Sequence, residues 1–164
     1  MTGSGARGEE RVRDYPRPPR LEPEVRRVRI VFGGETIADT DLALRVLETF
    51  HPPTYYLPVG AFRPGVLVPG SPRTSWCEWK GRARYWTVVA AGGAAVATDA
   101  AWGYPDPAPA YADLRDHVAV YAGAMEACYV GEERARPQPG GFYGGWITDG
   151  LVGPFKGEPG TNHW

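Results

Sequence analysis

The sequence predicts a mainly β protein with little helix: a single compact domain of short antiparallel strands, arranged as two facing sheets or an open barrel. Three observations predict it. The 164 residues include 22 Gly and 17 Pro, more than average usage, which implies many tight turns. Short β-prone runs recur between those turns. Twice such runs are split by Gly-Gly, a pair that tolerates the positive φ angles of a hairpin turn. A chain of this length suits one domain with room for a real core.

Residues 1–24, rich in Arg, Pro, Gly and Glu, lack apolar periodicity and read as a flexible, mildly basic arm. From Val28, the run V-R-I-V-F, then Gly33-Gly34, then E-T-I-A-D-T reads as a hairpin. Asp39 to Val46 is expected to form a helical turn, with Asp39 or Asp41 as cap and Leu42, Val46 and Leu47 at helical spacing. Thr54 to Leu57, set between Pro52-Pro53 and Pro58, fits an edge strand, because proline donates nothing to a ladder. Phe62 to Val68 offers another short strand, interrupted by Pro64-Gly65. Arg82 to Val89 and Ala94 to Trp102 flank Gly92-Gly93 and make the second hairpin. Ile37 matches Val96, Ala38 matches Ala97, and an aromatic, proline-bearing segment follows each hairpin, as in a duplicated strand-turn-strand unit.

Pro107 to Asp113 leads into a helical start, His117 to Tyr121 reads as a strand, and Ala122 to Cys128 fits either helix or strand. The core domain is thus expected over residues 25–130. Residues 131–164 are rich in Gly and Pro yet carry Phe142, Trp146, Leu151 and Phe155, so this extension is expected to pack on the core or on a partner.

A net charge of -1 and a pI near 6.3 supply no field for nucleic acid or anionic lipid. No apolar run approaches the roughly 18 residues that cross a bilayer, and the N-terminus lacks the apolar stretch of a signal peptide. The expected setting is cytoplasmic, with no membrane partner. Cys77 and Cys128 are too few for a disulfide scaffold. With His51, His117 and His163 far apart in sequence, no metal site is expected. Phosphate-binding and dinucleotide-binding signatures are absent, and without G-x-S-x-G serine hydrolase chemistry is not expected; the cofactor stays unknown.

The chemistry-bearing residues concentrate in S-W-C-E-W-K-G-R-A-R-Y-W, residues 75–86. In an extended strand Cys77, Trp79, Gly81, Ala83 and Tyr85 share a buried face, leaving Glu78, Lys80, Arg82 and Arg84 in solvent. A bulge at Gly81 would instead turn Lys80 inward beside Cys77, and a thiol near an ammonium favours the thiolate needed for nucleophilic work. Glu48 ends the apolar run V-L-E-T and could pair with Lys80. Tyr56, Trp102 and Tyr104 supply rings that stack on a ligand. The first reading is an aromatic pocket lined by Glu48, Tyr56, Cys77, Lys80, Trp102 and Tyr104 that binds a small polar molecule. A second makes Cys77 or Lys80 the nucleophile or base of an enzyme, oriented by Glu48. A third is an interaction module or homo-oligomer that docks through the C-terminal tail. His51, in a stiff loop before Pro52-Pro53, is expected to titrate near neutral pH, with no partner evident.

Several segments resemble one family. G-G-E-T-I-A-D-T at 33–40, H-P-P-T-Y-Y-L-P at 51–58, the 75–86 stretch, A-W-G-Y-P-D-P at 101–107 and H-V-A-V-Y at 117–121 are similar to the family catalogued as domain of unknown function 427. The resemblance covers roughly 25–130 and implies a small β-rich domain of no established activity, labelled nucleotidyltransferase-like. The residues support that label poorly. Gly33-Gly34 with Asp39-x-Asp41 mimics a phosphate-gripping turn and paired acids, but four residues separate them and the turn joins β runs rather than opening a helix. Lys80 is followed by Gly-Arg-Ala and lacks the Asp of K-x-D-G.

Overall fold

The structure is a computed structural model and describes residues 8–161. The described chain runs through β1 (Glu10–Arg11), β2 (Arg20–Pro23), β3 (Val28–Phe32), β4 (Glu35–Thr40), β5 (Leu44–Leu47) and β6 (Thr54–Pro58). The longest strands follow: β7 (Leu67–Cys77), β8 (Gly81–Ala90) and β9 (Ala95–Gly103). Then come β10 (His117–Val120), β11 (Ala127–Val130), β12 (Glu133–Arg134), β13 (Arg136–Pro137), β14 (Trp146–Ile147) and β15 (Leu151–Val152). Helix is confined to short 3-10 turns, the longest being Pro109–Leu114.

Seven strands form an open sheet in the order β2-β5-β6-β10-β9-β8-β7, and four form a second in the order β12-β11-β3-β4. All pairings in both are antiparallel. The mainly β, single-domain architecture expected from the turns is therefore the observed one, and neither sheet closes into a barrel. Side chains alternate across a strand. Tyr55 and Leu57 of β6 and Val118 and Val120 of β10 point inward, joining Val28, Ile30, Ile37 and Cys128 in a core shared by the two sheets. Tyr56, Trp102 and Ala119 point outward into a second cluster under the loop that carries Tyr111 and Leu114. The large sheet is thus buried on both faces at its centre, which is why T-Y-Y-L reads as an unbroken apolar run.

Several local expectations are corrected by non-local pairing. Residues 8–24, expected as a flexible arm, hold β1 and β2, and Val12 is fully buried with Tyr15 and Leu47; residues 1–7 lie outside the described part. The segment expected as a helical turn at 39–46 is instead the end of β4, a connection at 41–43 and the start of β5, which is held by β2 on one side and β6 on the other. Its Arg45 side chain, 2% exposed, pairs with Glu10 at 2.9 Å and Glu22 at 2.7 Å. Those charges look like tail residues in the sequence, and their mutual neutralisation lets them be buried. β6 is an interior strand rather than an edge, with its prolines at the ends where the ladder loses little. The strand expected over 62–68 begins only at Leu67, after a lone bridge from Phe62 to Ala38.

Both Gly-Gly turns form hairpins, in different sheets. Gly33 (φ 62) and Gly34 (φ 79) are the two central residues of a tight turn closed by Phe32 and Glu35. The second loop spans residues 91–94 between the paired Ala90 and Ala95. Its two extra residues change the register, so Ile37 is buried while Val96, its expected match, is 56% exposed. A Cβ on Gly33 would come within 3.0 Å of the Cβ atoms of both Ala90 and Ala95: the tip of the first hairpin rests on the closing pair of the second.

The tail is threaded into this frame. Trp146 is fully buried in the shared core and its indole N–H donates to the Val120 carbonyl. Residues 162–164 lie outside the described part.

Candidate functional site

The stretch 75–86 is not one strand but a hairpin. Cys77 pairs with Gly81, and Glu78, Trp79 and Lys80 make the turn between β7 and β8. Gly81 sits at φ 114, a backbone state that only glycine enters without strain. The Ala108 amide donates to the Lys80 carbonyl at 2.9 Å, pinning the 106–108 loop to the turn. Cys77, Ala83 and Tyr85 lie on the outer face, as alternation predicts. Lys80 does not follow it: the residue is 8% exposed rather than solvated, because the turn at Gly81 brings it inward.

The Lys80 Nζ stands 5.6 Å from the centre of the Tyr104 ring, and the Cys77 side chain lies near enough to bear on its charge. Tyr56, 1% exposed, meets Trp102 edge-on at 6.4 Å and Tyr104 at 6.3 Å. Tyr121 packs on Trp102 with ring centres 4.5 Å apart, and any side chain at Gly144 would collide with the Trp102 indole. Glu48 stands at the rim, its side chain 25% exposed and 3.8 Å from Arg17. All six residues singled out in the sequence therefore converge on the outer face of the large sheet.

Burial sets the electrostatics. It works against the Lys80 ammonium, yet Tyr104, Cys77 and Glu48 outweigh it and hold the pKa above the ordinary lysine value. Burial also raises the Glu48 carboxyl, against the pull of Lys80 and Arg17, and raises the hydroxyls of Tyr56 and Tyr104. Among the described residues no carboxylate lies within 4 Å of Lys80. An amine held protonated suits an electrostatic anchor; as base or nucleophile it would first have to lose its proton.

His51 departs from expectation. Burial, then the nearby Arg17, Lys80 and Lys156, lower its pKa to about 4, so it stays neutral rather than titrating near pH 7. It also has a partner, since Gln138 Nε2 lies 3.0 Å from His51 Nδ1. Gln138 comes from the tail, and no sequence signal points to it. Tyr111 is likewise new to the site. It is buried, donates to the Pro19 carbonyl at 2.7 Å, and feels the charges of Lys80 and Glu48.

Tyr56, Cys77, Lys80, Trp102 and Tyr104 form a packed cluster beside a cavity rather than its walls, with Glu48 at the edge. That cavity, of about 140 Å³, borders the cluster only through Tyr104. Among the described residues no three His, Cys, Asp or Glu side chains gather into a metal site. Asp39 and Asp41, the mimics of paired catalytic acids, both lie against Arg27, at 2.7 and 3.8 Å.

A family model described as a domain of unknown function (DUF427) matches residues 20–131. The chain belongs to this family. The DUF427 segment opens at β2, the first strand of the large sheet, and contains all six clustered residues together with Tyr111. Gln138, Gly144 and Trp146, which pack against it, lie beyond its end. No curated protein matches the chain, and no helix among the described residues is long and apolar enough to cross a membrane.

Proposed function

We propose that this DUF427 domain binds a small polar ligand carrying an anionic group at Lys80, on the aromatic outer face of the large sheet. One observation carries the reading: a buried ammonium, held charged, with no carboxylate within 4 Å among the described residues. Buried charges are normally paired, and strongly perturbed groups cluster at functional sites. In this reading Lys80 holds the anion at the edge of the packed rings, beside Tyr104, and Glu48 stands at the rim, while Tyr56 and Trp102 pack beneath and hold Tyr104 in place. Inorganic phosphate serves as the probe, followed by tryptophan fluorescence. A saturable response lost in Lys80→Met and retained in Arg84→Gln is the expected result; no saturable response, or one indifferent to Lys80→Met, removes the reading.

The nearness of Lys80 to the half-buried Cys77 favours a second reading, in which Cys77 is a nucleophile assisted by that ammonium. Cys77 should then be alkylated faster at neutral pH in the native protein than in Lys80→Met, and equal rates would exclude it. Both cysteines are free, which agrees with a reducing, cytoplasmic setting.

A further inference from the structure

The inner face of the large sheet carries a second feature. Directly paired residues share a face, so Arg84, opposite Gly103, and Trp86, opposite Ala101, lie on the core side, where Ala101 itself is buried. Further along β7 and β8, Thr74 opposes Arg84 and Trp76 opposes Arg82, so these side chains also face inward. Yet Trp76 is 72% exposed, and Thr74, Arg82 and Arg84 are exposed with it. Trp86 packs against the shared core, whereas this end of the same face is bare.

Where that packing stops, the cavity of about 140 Å³ opens between Val59, Pro69, Trp86, Tyr104 and Val118, with Arg84 on its wall. Arg84 and Pro105 also line an adjoining basin of about 580 Å³ that contains Trp76 and Arg82. Arg84 thus stands at the junction of an apolar cavity and an open basin. Among the described residues neither Arg82 nor Arg84 has a hydrogen bond or ion pair. Asp106 borders the basin and Asp116 the cavity, but neither is within 4 Å of a guanidinium.

A cavity of roughly 150 Å³ accepts a benzene ring, and guanidinium grips a carboxylate through two parallel hydrogen bonds. We propose that this junction is a binding site for a small organic acid with an aromatic or compact apolar body. The body fills the cavity against Trp86 and Val118, the carboxylate pairs with Arg84, and any polar extension lies in the basin beside Arg82 and Trp76. The site is separate from the Lys80 cluster, on the opposite face of the sheet, with Tyr104 at the strand end bordering both.

The test is calorimetric titration of the full chain with benzoate, in parallel with benzamide, which keeps the ring and lacks the charge. Saturable one-to-one binding of benzoate is expected, weakened more than tenfold in Arg84→Gln and more than tenfold for benzamide, and unchanged in Lys80→Met. Arg84 is exposed, so Arg84→Gln should keep the wild-type melting midpoint, which separates lost binding from lost fold. The proposal is overturned if benzoate does not saturate, if benzamide binds as well as benzoate, or if Arg84→Gln leaves the affinity intact. Benzoate binding lost in Lys80→Met but kept in Arg84→Gln would likewise overturn it, while supporting the site on the other face.

Discussion

The two faces of the seven-stranded sheet are built from the same strands and do different work. The inner face presents Leu57, Val88, Val118 and Val120 to Ile30 and Ile37 of the smaller sheet, an aliphatic contact flanked by the rings of Tyr55, Phe62 and Trp146. The outer face presents Tyr56, Trp102 and Ala83 to loops and tail, among Tyr104, Tyr111, Cys77 and Lys80. Aliphatic groups have no polar atoms to satisfy, and the polar tips of Tyr55 and Trp146 already have protein partners, so the first face contributes stability with few constraints beyond shape. Rings with polar tips, packed round an ammonium, have their ionisation altered by burial, and the second face acquires chemical character at the same time as it packs.

The largest effect should come from the inner face. Trp146→Ala is expected to cost about 3–5 kcal/mol in denaturant unfolding, and removing residues 132–164 should abolish the cooperative transition. A truncated chain that unfolds like the full one would show that the inner face stands without its tail.

Next comes the pH dependence of His51. In the folded chain it remains neutral down to about 4, whereas unfolded histidine takes a proton near 6.5. Stability therefore falls as pH drops from about 6.5 to about 4 and flattens below. The loss is on the order of 2–3 kcal/mol, allowing for partial exposure. His51→Gln should remove that segment of the stability-pH curve, and an unaltered curve would contradict the buried neutral ring.

The thiols compare the two faces directly. Burial pushes Cys128, which enters the inner core from β11 of the smaller sheet, up to about 12, so it should resist alkylation until unfolding, while half-buried Cys77 reacts in the native state. Native rates should differ by at least about 100-fold, and mass spectrometry locating the first adduct on Cys128 would reverse the assignment. The smallest effect is expected at the second hairpin. Val96→Thr should stay within about 0.5 kcal/mol of wild type, whereas Ile37→Val should cost about 0.5–1.5 kcal/mol. Equal costs would mean that the two positions are equivalent after all.

Much of the frame was legible because it is written in local chemistry. Gly33-Gly34 encodes a backbone state that few other residues reach, and strands such as β10 are apolar wherever they pair. Cys77, Ala83 and Tyr85 were placed by alternation alone. What escaped depended on distant partners. Arg45 reads as a surface residue until Glu10 and Glu22 are brought to it, and β5 reads as helical until β2 arrives. The position of Lys80 rested on whether the chain turns before Gly81, which alternation does not decide. Gln138 beside His51 had no signal, since a lone amide in a Gly/Pro-rich tail looks like any solvated residue.

The contact of Gly33 with Ala90 and Ala95 has a mechanical side. It holds the two sheets together at one end of β8, while Arg84, six residues or about 20 Å back along the same strand, lies where they no longer overlap. A side chain added at Gly33 would press on both alanines at once and lift the tip of the first hairpin off the second.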